Sequence, residues 1–157
     1  MTKSIAILQA ILVELIDLGL LGKQAHWNVY GPNFRPVHLE LDDVVEQVLE
    51  WQDEVAERIS ALGGNPDGRA STVASSSRVA QLEAGPLRDA DVVRAMKDRL
   101  TAISEAISAK FEELDDDLPS QDMLIGIVAG LDKAAWFFRA QISDGQAFND
   151  CSSVLMS

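Results

Sequence analysis

Residues Gly63 to Arg88 read GGNPDGRASTVASSSRVAQLEAGPLR. This stretch decides the fold. It is 26 residues of mostly Gly, Pro, Ser and Ala lying between two segments of strong helical periodicity. A structureless connection of that length is uncommon inside a compact domain. It suits a crossover that runs the length of a helical bundle, and a short helix over about Ser77 to Glu83 is expected in its middle.

The segment before it, from about Arg35 to Leu62, carries Val37, Leu41, Val44, Val48, Trp51, Val55, Ile59 and Leu62 at three- and four-residue intervals. That is one apolar helix face, ended by Gly63-Gly64-Asn65-Pro66. Further upstream, Leu8, Leu12, Leu15, Gly19, Gly22 and His26 share a stripe on a helix expected from Ser4, its N-cap, to Tyr30. Gly31-Pro32 stops it, because proline disfavours helical geometry in the residue before it. Downstream, a third helix is expected from Asp89 to Leu114, capped by Asp89 or Asp91. A fourth is expected from Ser120 to Gln141, with Ser120 and Asp122 in its first turn, where anionic groups suit the helix dipole. The links are short, long and short, so helices one and two pack antiparallel, as do three and four. No strand-like alternation is present. The fold class is therefore all-α: a single domain over residues 1–157, built as a four-helix bundle with one long crossover.

Composition narrows the function. The net charge is −12, from 25 acidic and 13 basic residues. Such a surface repels phosphate and attracts cations. No charge-free run approaches the roughly 20 residues that a membrane span needs. The apolar stretch from Ile5 to Leu21 contains Glu14 and Asp17, so it reads as an amphipathic helix rather than a leader. One cysteine, Cys151, gives no intrachain disulfide and fits a reducing compartment. A soluble cytoplasmic protein is expected.

Five residues carry the candidate chemistry: His26, His38, Asp42, Asp53 and Glu57. The histidines are the only 2 in the chain. His38 and Asp42 are four apart and share a helix face, as do Asp53 and Glu57. The two pairs lie on nearly the same face, with Val45 and Leu49 between them. Their midpoints are separated by roughly 22 Å along the axis at the α-helical rise. Metal–ligand bonds are near 2 Å, so one straight helix cannot bring both pairs to the same ion. Two copies packed antiparallel about a two-fold axis near Gln47 and Val48 can. His38 and Asp42 of one copy then face Asp53 and Glu57 of the other. His26, near the end of helix one, completes the set. Imidazole with carboxylate suits iron, zinc or manganese better than calcium or magnesium.

The run from Gly22 to Phe34, GKQAHWNVYGPNF, resembles the signature of the Dps (miniferritin) family. So does its continuation through His38, Asp42, Asp53, Glu57, Arg58, Leu62, Gly63 and Gly64. The spacing His-x11-His-x3-Asp-x10-Asp-x3-Glu matches without a gap. Leu131 to Phe137 is similar to the family's last helix. The resemblance spans about Leu8 to Ile142. It implies a ferritin-like bundle, a hollow dodecamer and inter-subunit di-iron ferroxidase centres. Ferrous iron would be oxidised there, preferably by hydrogen peroxide rather than oxygen, and stored as ferric mineral, protecting against oxidative stress. It assigns His26, His38 and Asp42 from one subunit, with Asp53 and Glu57 from its dimer mate, as iron ligands. It places Trp27 and Trp136 near the centre as acceptors of stray oxidising equivalents. Asp122 and Asp117 fall on acidic positions lining iron-entry pores.

Other readings of the same residues remain open. On periodicity alone Trp27, Trp51 and Trp136 are core side chains, and Asp115 to Asp117 a solvated helix end. A His/carboxylate metal site also serves hydrolases, through an activated water. DNA binding is disfavoured, because only Thr2 and Lys3 precede helix one and residues 144–157 contain no Lys or Arg.

Overall fold

The computed structural model describes residues 2–142; Cys151 and the tail at 144–157 lie outside the described residues. Four long helices are present: α1 (Thr2–Asn28), α2 (Phe34–Ala61), α4 (Asp89–Ser108) and α5 (Leu118–Ile142), with a short α3 (Ala70–Ser76) between α2 and α4. The antiparallel pairing of α1 with α2 is visible in its contacts. Gly22 faces Val45, Gly19 faces Val48 and Gln52, and Gly64 faces Ile5, so one index falls as the other rises. A side chain at Gly22 would meet Val45 Cγ2 at 2.7 Å, so this crossing depends on the missing Cβ. α4 and α5 pair likewise: Ser104 donates to Asp132, and Gln121 donates to the Phe111 carbonyl.

Every stripe residue of the first two helices is buried, apart from the partly buried Leu62. Leu8, Leu15, Leu41, Met96, Leu100, Leu124 and Phe138 meet in one core. Each of these large side chains contributes about 1.5–3 kcal/mol by leaving water. α1 is long and apolar enough to cross a membrane, but most of it is buried inside the bundle. Its acidic residues, Glu14 and Asp17, are buried as well, and both are satisfied by the crossover.

That crossover corrects one expectation. The short helix lies at Ala70–Ser76, and the segment expected to be helical, 77–83, is not. Arg99 on α4 donates to the carbonyls of Ala80 and Gln81, both at 2.6 Å, so those carbonyls are taken from any local helix. Ser77 and Gln81 donate to Asp17, and Arg78 to Glu14, which lays this segment along α1. The Asp67 carboxylate instead opens the earlier helix, accepting from the Arg69 N–H and the Thr72 hydroxyl.

Element ends differ elsewhere. α1 already includes Thr2, so Ser4 is no cap; it is buried and hydrogen-bonds Asp117. α1 ends at Asn28, because Val29 and Tyr30 form a parallel bridge with Leu87 and Arg88. Two residues are too few to show an alternating pattern. The third helix stops at Ser108, and Phe111–Leu114 is a 3₁₀ turn. There the Lys110 N–H closes on the Ile107 carbonyl at 2.8 Å. Ile107, Phe111 and Leu114 keep helical spacing through this tightening, so periodicity could not register it. α5 begins at Leu118, two residues early, with Asp117 accepting from the Ser120 N–H and hydroxyl.

Candidate metal centre

The centre lies where α1 ends and α2 begins. His26 sits in the last turn of α1, whose final carbonyls have no intrahelical donor. His38 Nδ1 donates to the His26 carbonyl, and His26 Nδ1 donates to the His38 carbonyl, each at 3.0 Å. The rings stack with centroids 3.6 Å apart, and Phe34 packs against His38. A carbonyl only accepts, so each Nδ1 carries hydrogen. In the neutral ring that leaves each Nε2 with a lone pair open to a metal. This is the arrangement in which outer hydrogen bonds fix a metal-binding tautomer.

Asp42 completes the cluster. His26, His38 and Asp42 present ligand atoms within 4.8 Å of one another. Asp42 Oδ1 lies 3.2 Å from His26 Nδ1 and 2.7 Å from Lys23 Nζ. The Lys23 hydrogen bond, aided by the nearby imidazoles against the effect of burial, holds the Asp42 carboxyl below its ordinary range. Lys23 is thus a cation already placed on the carboxylate. Its position, one turn before His26, puts the two on one face, a spacing that could have flagged it.

Asp53 and Glu57 do not join this cluster. Both are exposed further along α2. Between the two acidic ends runs an open groove of about 390 Å³, lined by Ile16, Leu20, Val45, Leu49 and Gln52. Val48, level with the expected two-fold axis, is fully buried against Gly19, and Val45 leans on Gly22. The apolar groups that project outward are Leu49, 55% exposed, and Leu20 of α1, 60% exposed.

The tryptophans divide. Trp51 is core, its ring filling the space that Gly130 leaves open. Trp27 and Trp136 are not core residues in the single chain, being 69% and 52% exposed. Trp27 carries Lys23 Nζ 6.0 Å from its ring, next to the cluster. Asp122 is exposed. Asp117 is not a free solvated carboxylate: Arg58 donates to it at 2.6 Å and Ser120 at 2.7 Å. Burial pushes its carboxyl up, but hydrogen bonds from Ser120, Arg58 and Ser4 outweigh that and hold it low.

Sequence reasoning missed Asp89, expected only as a helix cap. It does bond the Ala90 N–H at 2.8 Å, but it also accepts the Asn33 N–H at 2.6 Å, across 56 residues. No local signal announces that contact.

Comparison with known proteins agrees with this geometry. A family model described as a ferritin-like domain matches residues 5–148. The chain is 38% identical over 141 residues to the DNA protection during starvation protein of Mycolicibacterium smegmatis, covering 87% of this chain and 75% of that one. It is 32% identical to the protein of the same name from Agrobacterium fabrum, covering 89% and 88% of the two chains. Among solved structures, Dps from Microbacterium arborescens in the high iron form superposes with a TM-score of 0.85 at 37% identity, covering 90% of this chain and 93% of that one. Matched in fold, in sequence and over most of its length, the chain belongs to the ferritin-like proteins and, among them, to the Dps family.

Proposed function

We propose that this protein oxidises ferrous iron at di-iron centres shared between two subunits, preferably with hydrogen peroxide, and stores the ferric product inside a dodecameric shell. The observation that carries the reading is the divided ligand set. His26, His38 and Asp42 converge, with each Nδ1 engaged by the other histidine's carbonyl, while Asp53 and Glu57 stand exposed roughly 22 Å away along α2. An apolar strip joins the two halves, and exposed apolar patches of this kind mark interfaces. An antiparallel copy laid on it brings each half-site to the other.

In this reading His26, His38 and Asp42 hold iron from one side, and Asp53 and Glu57 of the second copy hold it from the other. Imidazole and carboxylate together accept both ferrous and ferric ions. Two ferrous ions supply the two electrons that reduce peroxide to water, so no one-electron step need release a hydroxyl radical. Trp27, exposed beside His26, and Trp136 would accept oxidising equivalents that escape. Asp122 is the better candidate for iron entry, since Asp117 is committed to Arg58 and Ser120. A net charge of −12 per chain favours cation traffic and opposes direct coating of DNA. Protection would then come from removing iron and peroxide, in the cytoplasm.

The test is complementation. His38→Ala and Asp53→Ala/Glu57→Ala variants, each alone, should oxidise ferrous iron no faster than buffer with peroxide present. Co-assembled, they form mixed dimers in which one of the two sites is intact, and oxidation should return. Wild-type protein no faster than buffer would defeat the reading.

A further inference from the structure

The histidine pair is held by a turn that α4 clamps, although α4 contributes no ligand. Residues 29–33 join His26's helix to His38's helix. Val29 and Tyr30 pair in parallel with Leu87 and Arg88, and the Arg88 guanidinium lies 5.8 Å from the Tyr30 ring. Asp89, the next residue, is buried. Its Oδ2 accepts the Asn33 N–H at 2.6 Å, while its Oδ1 accepts the Ala90 N–H of its own helix. The same carboxyl sits against Gly31, whose φ is +135°. A Cβ at Gly31 would come within 2.6 Å of the Asp89 Cγ, so the turn and the carboxylate fit only with glycine there. The Asn33 N–H, foremost among its partners, holds the Asp89 carboxyl below its ordinary range, so it is a charged acceptor at neutral pH.

The geometry matters because the histidines depend on each other's backbone. Each Nδ1 needs the other residue's carbonyl at 3.0 Å. A small slip of the α1 end against the α2 start would break both bonds and release both rings to the other tautomer. We infer that Asp89 is a positioning residue for the His26–His38 half of the metal site, acting through the Gly31–Asn33 turn that it clamps.

This rests on the metal-site reading above, and the test separates the two. The probe is cobalt(II), titrated into the purified full chain by its visible absorption. Wild type should bind it and His26→Ala should not. Asp89→Asn, which keeps an oxygen for the Asn33 N–H but loses the charge, should bind about three- to tenfold more weakly. Asp89→Ala should bind more weakly still, by at least about tenfold, the usual cost of losing an outer partner of a metal ligand. Asp98→Asn, which alters an exposed carboxylate on α4 away from the turn, should leave affinity unchanged, although its ion pair with Lys97 is lost. Long-range proton–nitrogen NMR should report both Nδ1–H tautomers in wild type and mixed tautomers in the Asp89 variants. If Asp89→Ala does not fold, Asp89→Asn carries the test. Affinity within twofold of wild type, or loss no greater than in Asp98→Asn, with the tautomers intact, would overturn the inference alone. Failure of wild type to bind cobalt, or binding undiminished in His26→Ala, would overturn the metal-site reading and this inference together.

Discussion

His26 and His38 each donate Nδ1–H to the other's backbone carbonyl at 3.0 Å, with their rings stacked 3.6 Å apart. The pair is therefore one unit rather than two independent ligands. Replacing His38 by alanine removes a proposed ligand and also frees the His26 carbonyl and ring. His38→Ala should weaken cobalt or ferrous binding by more than the 10–100-fold typical of an outer partner. Isothermal titration would measure this, and a loss below about tenfold would contradict the coupling.

Leu49 is 55% exposed in the single chain and Val48 beside it is fully buried. Leu49→Glu should therefore leave the fold intact and abolish the two-fold dimer. Size exclusion with light scattering should show a helical monomer, and ferrous oxidation should be lost with the dimer. An active monomer would rule out a shared centre.

Lys23 Nζ lies 2.7 Å from Asp42 Oδ1, on a carboxylate that is nearly half exposed. In the proposed centre iron would have to displace it. Partly exposed pairs contribute about 0.2–1 kcal/mol, so Lys23→Gln should tighten metal binding by up to about fivefold. The Asp42 carboxyl should rise toward its ordinary value, visible by carboxyl-carbon NMR. Unchanged affinity would show that Lys23 does not compete.

Arg58 and Asp117 are both mostly buried, and their ion pair joins α2 to the start of α5 at 2.6 Å. Arg58→Ala leaves that carboxylate short of a partner and should cost about 2–4 kcal/mol, read as a fall in Tm. The Asp117 carboxyl is held low in the folded chain. Its stabilisation is thus fully present above the ordinary carboxylate value of about 3.9 and is lost as pH falls below it. Asp117→Asn should flatten the acid limb of the stability profile and leave the profile above about pH 5 parallel to wild type.

Arg99 donates to Ala80 and Gln81 carbonyls at 2.6 Å each. Arg99→Ala should let the crossover detach locally. Hydrogen exchange across 77–86 should accelerate while α1 and α2 stay protected, and global stability should fall by about 1–3 kcal/mol. Uniform acceleration would mean that the crossover opens only with the whole bundle.

The sequence by itself determined the four long helices, because a 3.6-residue apolar period is a local property that only a buried helix face satisfies. It determined the connectivity, since link lengths limit which helices can be neighbours. It also determined the separation of the candidate ligands, because the roughly 22 Å between His38/Asp42 and Asp53/Glu57 follows from helix rise alone. Tertiary structure decided the rest. Periodicity marks a face as apolar without saying what covers it, so Trp27 and Trp136 read as core yet are exposed in the single chain. The short crossover helix moved to Ala70–Ser76 because Arg99, far along the chain, claims the carbonyls at 80 and 81. The reach of Asp89 to Asn33, like the mutual bonds of His26 and His38, appears only once the chain has closed on itself. Hydrogen bonds between distant residues leave no periodic trace; they exist only where packing has already fixed the two backbones side by side.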